Sequence, residues 1–121
     1  MIKAIAVDDE PLALELIETY CKSFDFLQFE KGFSKTAAAL LYLEKNGTDL
    51  LFLDINMPEM SGFDFLDAME QLPEIVKHHC RVIMLSSSDS FKDLNRANKN
   101  RFVYKFLNKP LTEQVLAAIN V

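Results

Sequence analysis

Five polar residues stand where apolar runs stop. Asp8 and Asp9 follow Met1 to Val7, Asp54 follows Leu50 to Leu53, Ser86 follows Arg81 to Leu85, and Lys109 comes just after Phe102 to Leu107. Three carboxylates gathered in one place repel one another, which raises a pKa or demands a cation. Oxygen donors with no histidine or thiol beside them suit a hard ion, and Mg²⁺ is the natural choice. Mg²⁺ takes one or two carboxylates, keeps waters and accepts a phosphate oxygen. A carboxylate next to it can attack phosphorus and become an aspartyl phosphate. The oxygens of the incoming phosphoryl group then need positive or hydrogen-bonding partners. The metal serves one, the Lys109 ammonium a second, and the Ser86 hydroxyl a third.

The elements that must bring these residues together follow from periodicity. Met1 to Val7 reads as a strand. From Glu10 to Phe24 the apolar residues Leu12, Ala13, Leu16, Ile17, Tyr20, Cys21 and Phe24 fall at helical spacing. Asp9 is placed to cap that helix and Pro11 fits its first turn. Leu27 to Phe33 reads as a strand of mixed polarity. Ser34 offers a cap for a helix to about Lys45, stopped by Asn46-Gly47. Leu50 to Leu53 is wholly apolar, as a central parallel strand is. After the loop Asn56 to Ser61 comes a helix carrying Phe63, Leu66 and Met69. Arg81 to Leu85 is a second buried strand. A polar loop, Ser86 to Asp89, and a polar helix to about Asn98 precede the strand Phe102 to Leu107. Lys109-Pro110 breaks the chain, and Thr112 caps a last helix with Leu111 and Leu116 spaced for a hydrophobic staple.

Five strand–helix units in strict alternation predict one α/β domain, residues 1–121, doubly wound as (βα)5 around a parallel sheet with helices on both faces. With strand order 2-1-3-4-5, the first and third strands flank the switch in strand order where ligands bind. Asp8, Asp9 and Asp54 then meet at that crevice.

Composition narrows the function further. The chain has 121 residues, 18 acids against 13 bases, and a net charge of −5. That balance argues against direct nucleic-acid binding. Cys21 and Cys80 make no disulfide framework and read as buried thiols suited to a reducing cytoplasm. The longest apolar run, Ala37 to Leu43, is too short to span a bilayer, and the acids near the N-terminus do not suit a signal peptide.

The chain resembles the receiver domains of bacterial two-component response regulators, over essentially its whole length. The likeness rests on Val7-Asp8-Asp9-Glu10-Pro11, Leu53-Asp54-Ile55-Asn56-Met57-Pro58, Ser61-Gly62, Met84-Leu85-Ser86-Ser87 and Asn108-Lys109-Pro110, in that order and spacing. The resemblance implies a cytoplasmic, phosphorylation-dependent switch with no catalytic turnover beyond its own phosphotransfer and dephosphorylation. Asp54 matches the phospho-acceptor, and a sensor histidine kinase or phosphotransfer protein would be the donor. Asp9 matches the direct Mg²⁺ ligand and Asp8 the acid that acts through water. Asn56 matches the position whose backbone carbonyl binds the metal. Ser86 and Lys109 match the phosphoryl-binding hydroxyl and ammonium, Phe106 the aromatic switch, and Pro110 the proline after a cis bond. A downstream protein or fused output domain would read the face built by the fourth helix, fifth strand and fifth helix. Serine at 86 and phenylalanine at 106 stand where the family commonly has threonine and tyrosine. The segment Leu72 to Cys80 is somewhat long.

Two other chemistries compete for these residues. A Mg²⁺-dependent phosphatase with an aspartyl-phosphate intermediate commonly has a second acid two residues after the nucleophile, where this chain has Asn56. A flavodoxin-like flavin carrier wants a Ser-, Thr- or Gly-rich phosphate loop after the first strand, where this chain has Asp8-Asp9-Glu10. His78 and His79 read as surface residues. Phe102 and Tyr104 read as packing, and Lys105 as the guard of an exposed sheet edge. Lys92, Arg96, Lys99, Arg101 and Lys105 are either a solvated basic face or a partner surface.

Overall fold

The computed structural model describes residues 1–87 and 90–119, the side chain of Lys77 excepted. Ser88 and Asp89 of the predicted polar loop lie outside the described residues. The chain runs β1 (Ile2–Val7), α1 (Pro11–Lys22), β2 (Leu27–Phe33), α2 (Thr36–Asn46), β3 (Leu50–Asp54), α3 (Gly62–Met69), α4 (Glu74–Lys77), β4 (Arg81–Ser86), α5 (Phe91–Asn98), β5 (Val103–Asn108) and α6 (Glu113–Ala118). The strands form one parallel sheet of order β2-β1-β3-β4-β5. The predicted class and strand order are both observed.

Side-chain alternation divides the central strands between two cores. Ile5, Val7, Leu51, Leu53, Val82 and Met84 point to one face, where Leu43 of α2, Phe65 and Leu66 of α3 and Ala97 of α5 cover them. Ala4, Ala6, Leu50, Phe52, Ile83 and Leu85 point to the other, under Ile17 and Cys21 of α1 and Leu116 of α6. This explains the unbroken apolar runs of β3 and β4: a strand covered on both faces has no polar side. The edge strands β2 and β5 keep mixed polarity, and Lys105 is exposed on β5 as expected.

Thr112 caps α6 by accepting the Val115 N–H, and Leu111 and Leu116 are both buried as the staple requires. Asp9 does not cap α1. The helix begins at Pro11, whose fixed φ sets its first turn, so Glu10 is the boundary residue and supplies no side-chain cap. The adjacent Glu10 N–H instead donates to Asp8 Oδ1 at 2.9 Å. The boundary of α2 is likewise Lys35 and not Ser34. That helix ends where Gly47, at φ 67°, turns left-handed and donates to the Leu43 carbonyl at 2.9 Å. The long connection before β4 contains α4, one turn packed against α2 that periodicity over so few residues does not reveal. Among the described residues no helix is long and apolar enough to cross a membrane. Burial pushes the Cys21 and Cys80 thiols up to about 12, with a small contribution from Glu18 and Asp49 respectively, so neither is a nucleophile at neutral pH.

Candidate functional site

All five chemistry-bearing residues sit at the carboxyl edge of the sheet. Val7 pairs with Leu53, Asp54 with Leu85, and Ser86 with Asn108. The residues that follow or end these strands are therefore neighbours, although up to 101 positions separate them in sequence. Two backbone bonds lock the edge: the Ile55 N–H donates to the Leu85 carbonyl at 3.0 Å, and the Lys109 N–H to the Ser86 carbonyl at 2.7 Å. The Lys109-Pro110 bond is cis, as the resemblance implied.

Lys109 reaches inward from β5. Its Nζ lies 2.7 Å from Asp8 Oδ2, 3.3 Å from Asp54 Oδ1 and 3.8 Å from Glu10 Oε1. The carboxylates of Asp8 and Asp54 are 1% and 2% exposed. The Asn56 N–H adds a long hydrogen bond to Asp54 Oδ1 at 3.4 Å. One ammonium does not compensate so many acids. Burial, and next the charge of Asp8, push the Asp54 carboxyl up to about 6 against the opposing pull of Lys109 and the Asn56 amide. Burial pulls Lys109 down, but its hydrogen bond to Asp8 and the charges of Asp8 and Asp54 together hold it above its ordinary value.

Carboxylate oxygens of Asp8, Asp9 and Glu10 come within 4.8 Å of one another. These donors fit a hard divalent cation: they are all oxygen and carry excess negative charge. Asp54 is not part of that group; its carboxylate lies against Lys109. The motifs assign Glu10 no metal role; the signal for one is that it continues the run of acids Asp8-Asp9. His78 and His79 are exposed and stack edge-on against each other, with ring centroids 4.7 Å apart. They belong to the connection into β4, at the opposite end of that strand from Ser86.

Ser86 is fully buried at the end of β4. Phe106 is half-buried and packs against the core face shared by α2, α3 and α5. It also borders a cavity of about 320 Å³, with Ser90, Phe91, Leu94 and Asn108. The Asn56 side chain does not turn toward the carboxylates; its Nδ2 donates to Ser87 Oγ at 3.0 Å. Sequence reasoning missed this bond. Phe102 is buried as read, but Tyr104 is more than a third exposed, because it sits on the open edge of the sheet next to a shift in register. The basic residues around α5 and β5 are divided. Arg96 lies over the Phe63 ring at 4.3 Å, Arg101 chelates Glu70 with two hydrogen bonds of 2.9 and 3.0 Å, and Lys105 stays on the sheet edge.

The chain is similar to known proteins over nearly its whole length. The family model described as the response regulator receiver domain matches residues 4–120. The transcriptional regulatory protein BtsR of Salmonella typhi is 31% identical over 116 residues, which is 96% of this chain and 45% of that protein. The chain thus spans less than half the length of these curated relatives. A response regulator receiver protein from Dyadobacter fermentans superimposes with a TM-score of 0.85 at 28% identity, covering 96% of this chain and 92% of the other. A two-component response regulator from Cytophaga hutchinsonii shares the fold with a TM-score of 0.86 at 24% identity, covering 96% and 92%.

Proposed function

The chain belongs to the family of response regulator receiver domains, and from that premise we propose that it is a phosphorylation-dependent switch with Asp54 as phospho-acceptor. The observation that carries this reading is the Asp54 carboxylate itself. It is buried at the end of β3, faces Lys109 at 3.3 Å, and its charged form is destabilised by burial and next by the charge of Asp8. A nucleophile kept in that condition gains when positive charge and phosphorus arrive together.

An Asp54 oxygen attacks the phosphorus of a phosphohistidine on a sensor kinase or phosphotransfer protein. The new bond is O–P, the broken bond is N–P, and the electron pair returns to the histidine nitrogen. Asp8, Asp9, Asp54 and the Asn56 backbone carbonyl would hold Mg²⁺, which supplies positive charge to one phosphoryl oxygen. Lys109 shifts its ammonium from Asp54 to a second oxygen, and the Ser86 hydroxyl donates to the third. Phe106 then follows Ser86 inward. The α5–β5–α6 face changes shape and controls a downstream protein or a fused output domain, and residues 1–121 act as one such domain in the cytoplasm. The domain catalyses no more than its own phosphotransfer and dephosphorylation.

Intact-protein mass after incubation with a small acyl phosphate and Mg²⁺ tests the reading. The native chain is expected to gain one phosphoryl group and the Asp54→Asn variant none. Equal labelling of both, or of neither, would overturn the assignment.

A further inference from the structure

At the other end of the sheet the charge is of the opposite sign. β4 and β5 enter side by side at Arg81 and Val103, joined by the Val82 N–H, which donates to the Phe102 carbonyl at 2.8 Å. Between these two entrances lies a cavity of about 330 Å³. That reaches the lower end of small-molecule pockets, roughly 300 Å³. Its lining includes His78, His79, Arg81, Arg101 and Tyr104. Each of these side chains offers an N–H or O–H donor, and the two guanidiniums are permanently charged. Among the described residues no carboxylate lines it, in a chain whose net charge is −5. The phosphorylation chemistry uses none of these groups.

Both guanidiniums are held in place. Arg81 lies over the Tyr104 ring at 5.3 Å, and Arg101 over the Phe102 ring at 4.7 Å. Glu70 accepts from Arg101 Nε and Nη2 at 2.9 and 3.0 Å, and Glu74 lies 3.9 Å from Nη2. Neither acid lines the cavity. Side chains fixed in this way lose little freedom when they take a ligand. A guanidinium fork matches the paired oxygens of a phosphate, and a phosphate dianion answers two fixed positive charges where a single carboxylate answers one.

We propose that this cleft binds a small molecule carrying phosphate, at the end of the sheet opposite to Asp54. The proposal does not rest on Asp54 being the phospho-acceptor. Arg81 and Arg101 contact the phosphate oxygens, and His78 and His79 add donors at the rim.

The test titrates the whole chain, without Mg²⁺, with pyrophosphate, glycerol phosphate and citrate, read by calorimetry and by amide resonances. Without metal, Asp8, Asp9 and Asp54 repel phosphate from the other end. Pyrophosphate or glycerol phosphate is expected to bind one site with a Kd of about 1 mM or tighter. The resonances of residues 78–81 and 101–104 should move. Arg81→Gln and Arg101→Gln are each expected to weaken binding about tenfold or more, since each removes charge-assisted hydrogen bonds. Arg81→Lys keeps the charge, loses the fork and should also weaken it. Lys92→Gln, an exposed base outside the cleft, should bind as native. Resonances far from the cleft show whether each variant keeps the fold. Pyrophosphate bound alone would identify a free polyphosphate as the ligand class, and glycerol phosphate bound as well would identify phosphate esters. No saturable binding of either overturns the site, as does binding that Arg81→Gln and Arg101→Gln leave unchanged. Equal weakening by Lys92→Gln, or native affinity in Arg81→Lys, would mean attraction by charge alone and overturns it too. Citrate bound as tightly as the phosphates overturns the choice of phosphate.

Discussion

At about 6, the Asp54 carboxyl sits above its ordinary value of 3.8, mainly because it is buried and because Asp8 is charged. The fold therefore favours protonated Asp54, and stability is lost as pH rises through the interval from about 4 to about 6, where Asp54 ionises against its surroundings. Above that interval the whole penalty is present. Asp54→Asn removes the charge and keeps the shape. Without metal, the variant is expected to be more stable than the native chain at pH 7, by about 1–3 kcal/mol. The gain should fade toward pH 4, where native Asp54 is itself neutral. Denaturant midpoints at the two pH values measure this, and a lower midpoint for the variant at pH 7 would contradict it. The identities of Asp8, Asp9, Asp54, Ser86 and Lys109 were legible because each stands at the end of an apolar run. The lifted pKa was not, since it depends on burial and on a charge 46 positions away in sequence, Asp8.

The elements bring the site together by packing tightly behind it. At the start of α3, the Gly62 N–H donates to the Ile55 carbonyl at 2.8 Å. A Cβ there would lie 2.8 Å from the Asp54 carbonyl oxygen and 3.0 Å from both Ile55 Cα and Met84 Cε. Two of those three atoms are backbone and cannot swing aside. Gly62→Ala is therefore expected to cost about 1–3 kcal/mol by overpacking. It should also displace the end of β3 and slow phosphoryl uptake at Asp54. Urea unfolding and the labelling assay check both parts, and an unchanged urea midpoint would show that the site has more slack than these distances allow. Just before it, Ser61 and Asp64 form a reciprocal capping box that starts α3. Ser61-Gly62 was legible as part of a motif. The reason for glycine was not, because periodicity says which face a residue takes and nothing of how near another strand's backbone comes.

At the scale of the whole molecule, a cation held by Asp8, Asp9, Asp54 and the Asn56 carbonyl would tie the end of β1 to the end of β3, neighbouring strands at the centre of the sheet. Binding to the folded state alone stabilises it by mass action, about 2.7 kcal/mol at a hundredfold excess over the dissociation constant. Mg²⁺ is expected to raise the Tm by a few degrees, a chelator to reverse this, and Asp9→Asn to reduce the shift. Thermal unfolding with and without Mg²⁺ measures it; a Tm indifferent to Mg²⁺ would argue against a cation at Asp8, Asp9 and Asp54. The alternation of strands and helices and the double burial of β3 and β4 were legible because they are written in local periodicity. The turn of α4 and the exact starts of α1 and α2 were not, because one or two residues of boundary are settled by neighbours and by Pro11.

By itself the sequence determined the five strands and the longer helices, the faces they bury, and the residues left at the strand ends. Those follow from backbone preference and hydrophobic period, which act over a few residues. Only the tertiary structure decided how these residues meet. It carried the Lys109 ammonium to within 2.7 Å of Asp8, drew Glu10 into the acidic cluster, and joined Asn56 to Ser87. Such contacts depend on where separate loops end in space, and they are set by strand register and loop path together.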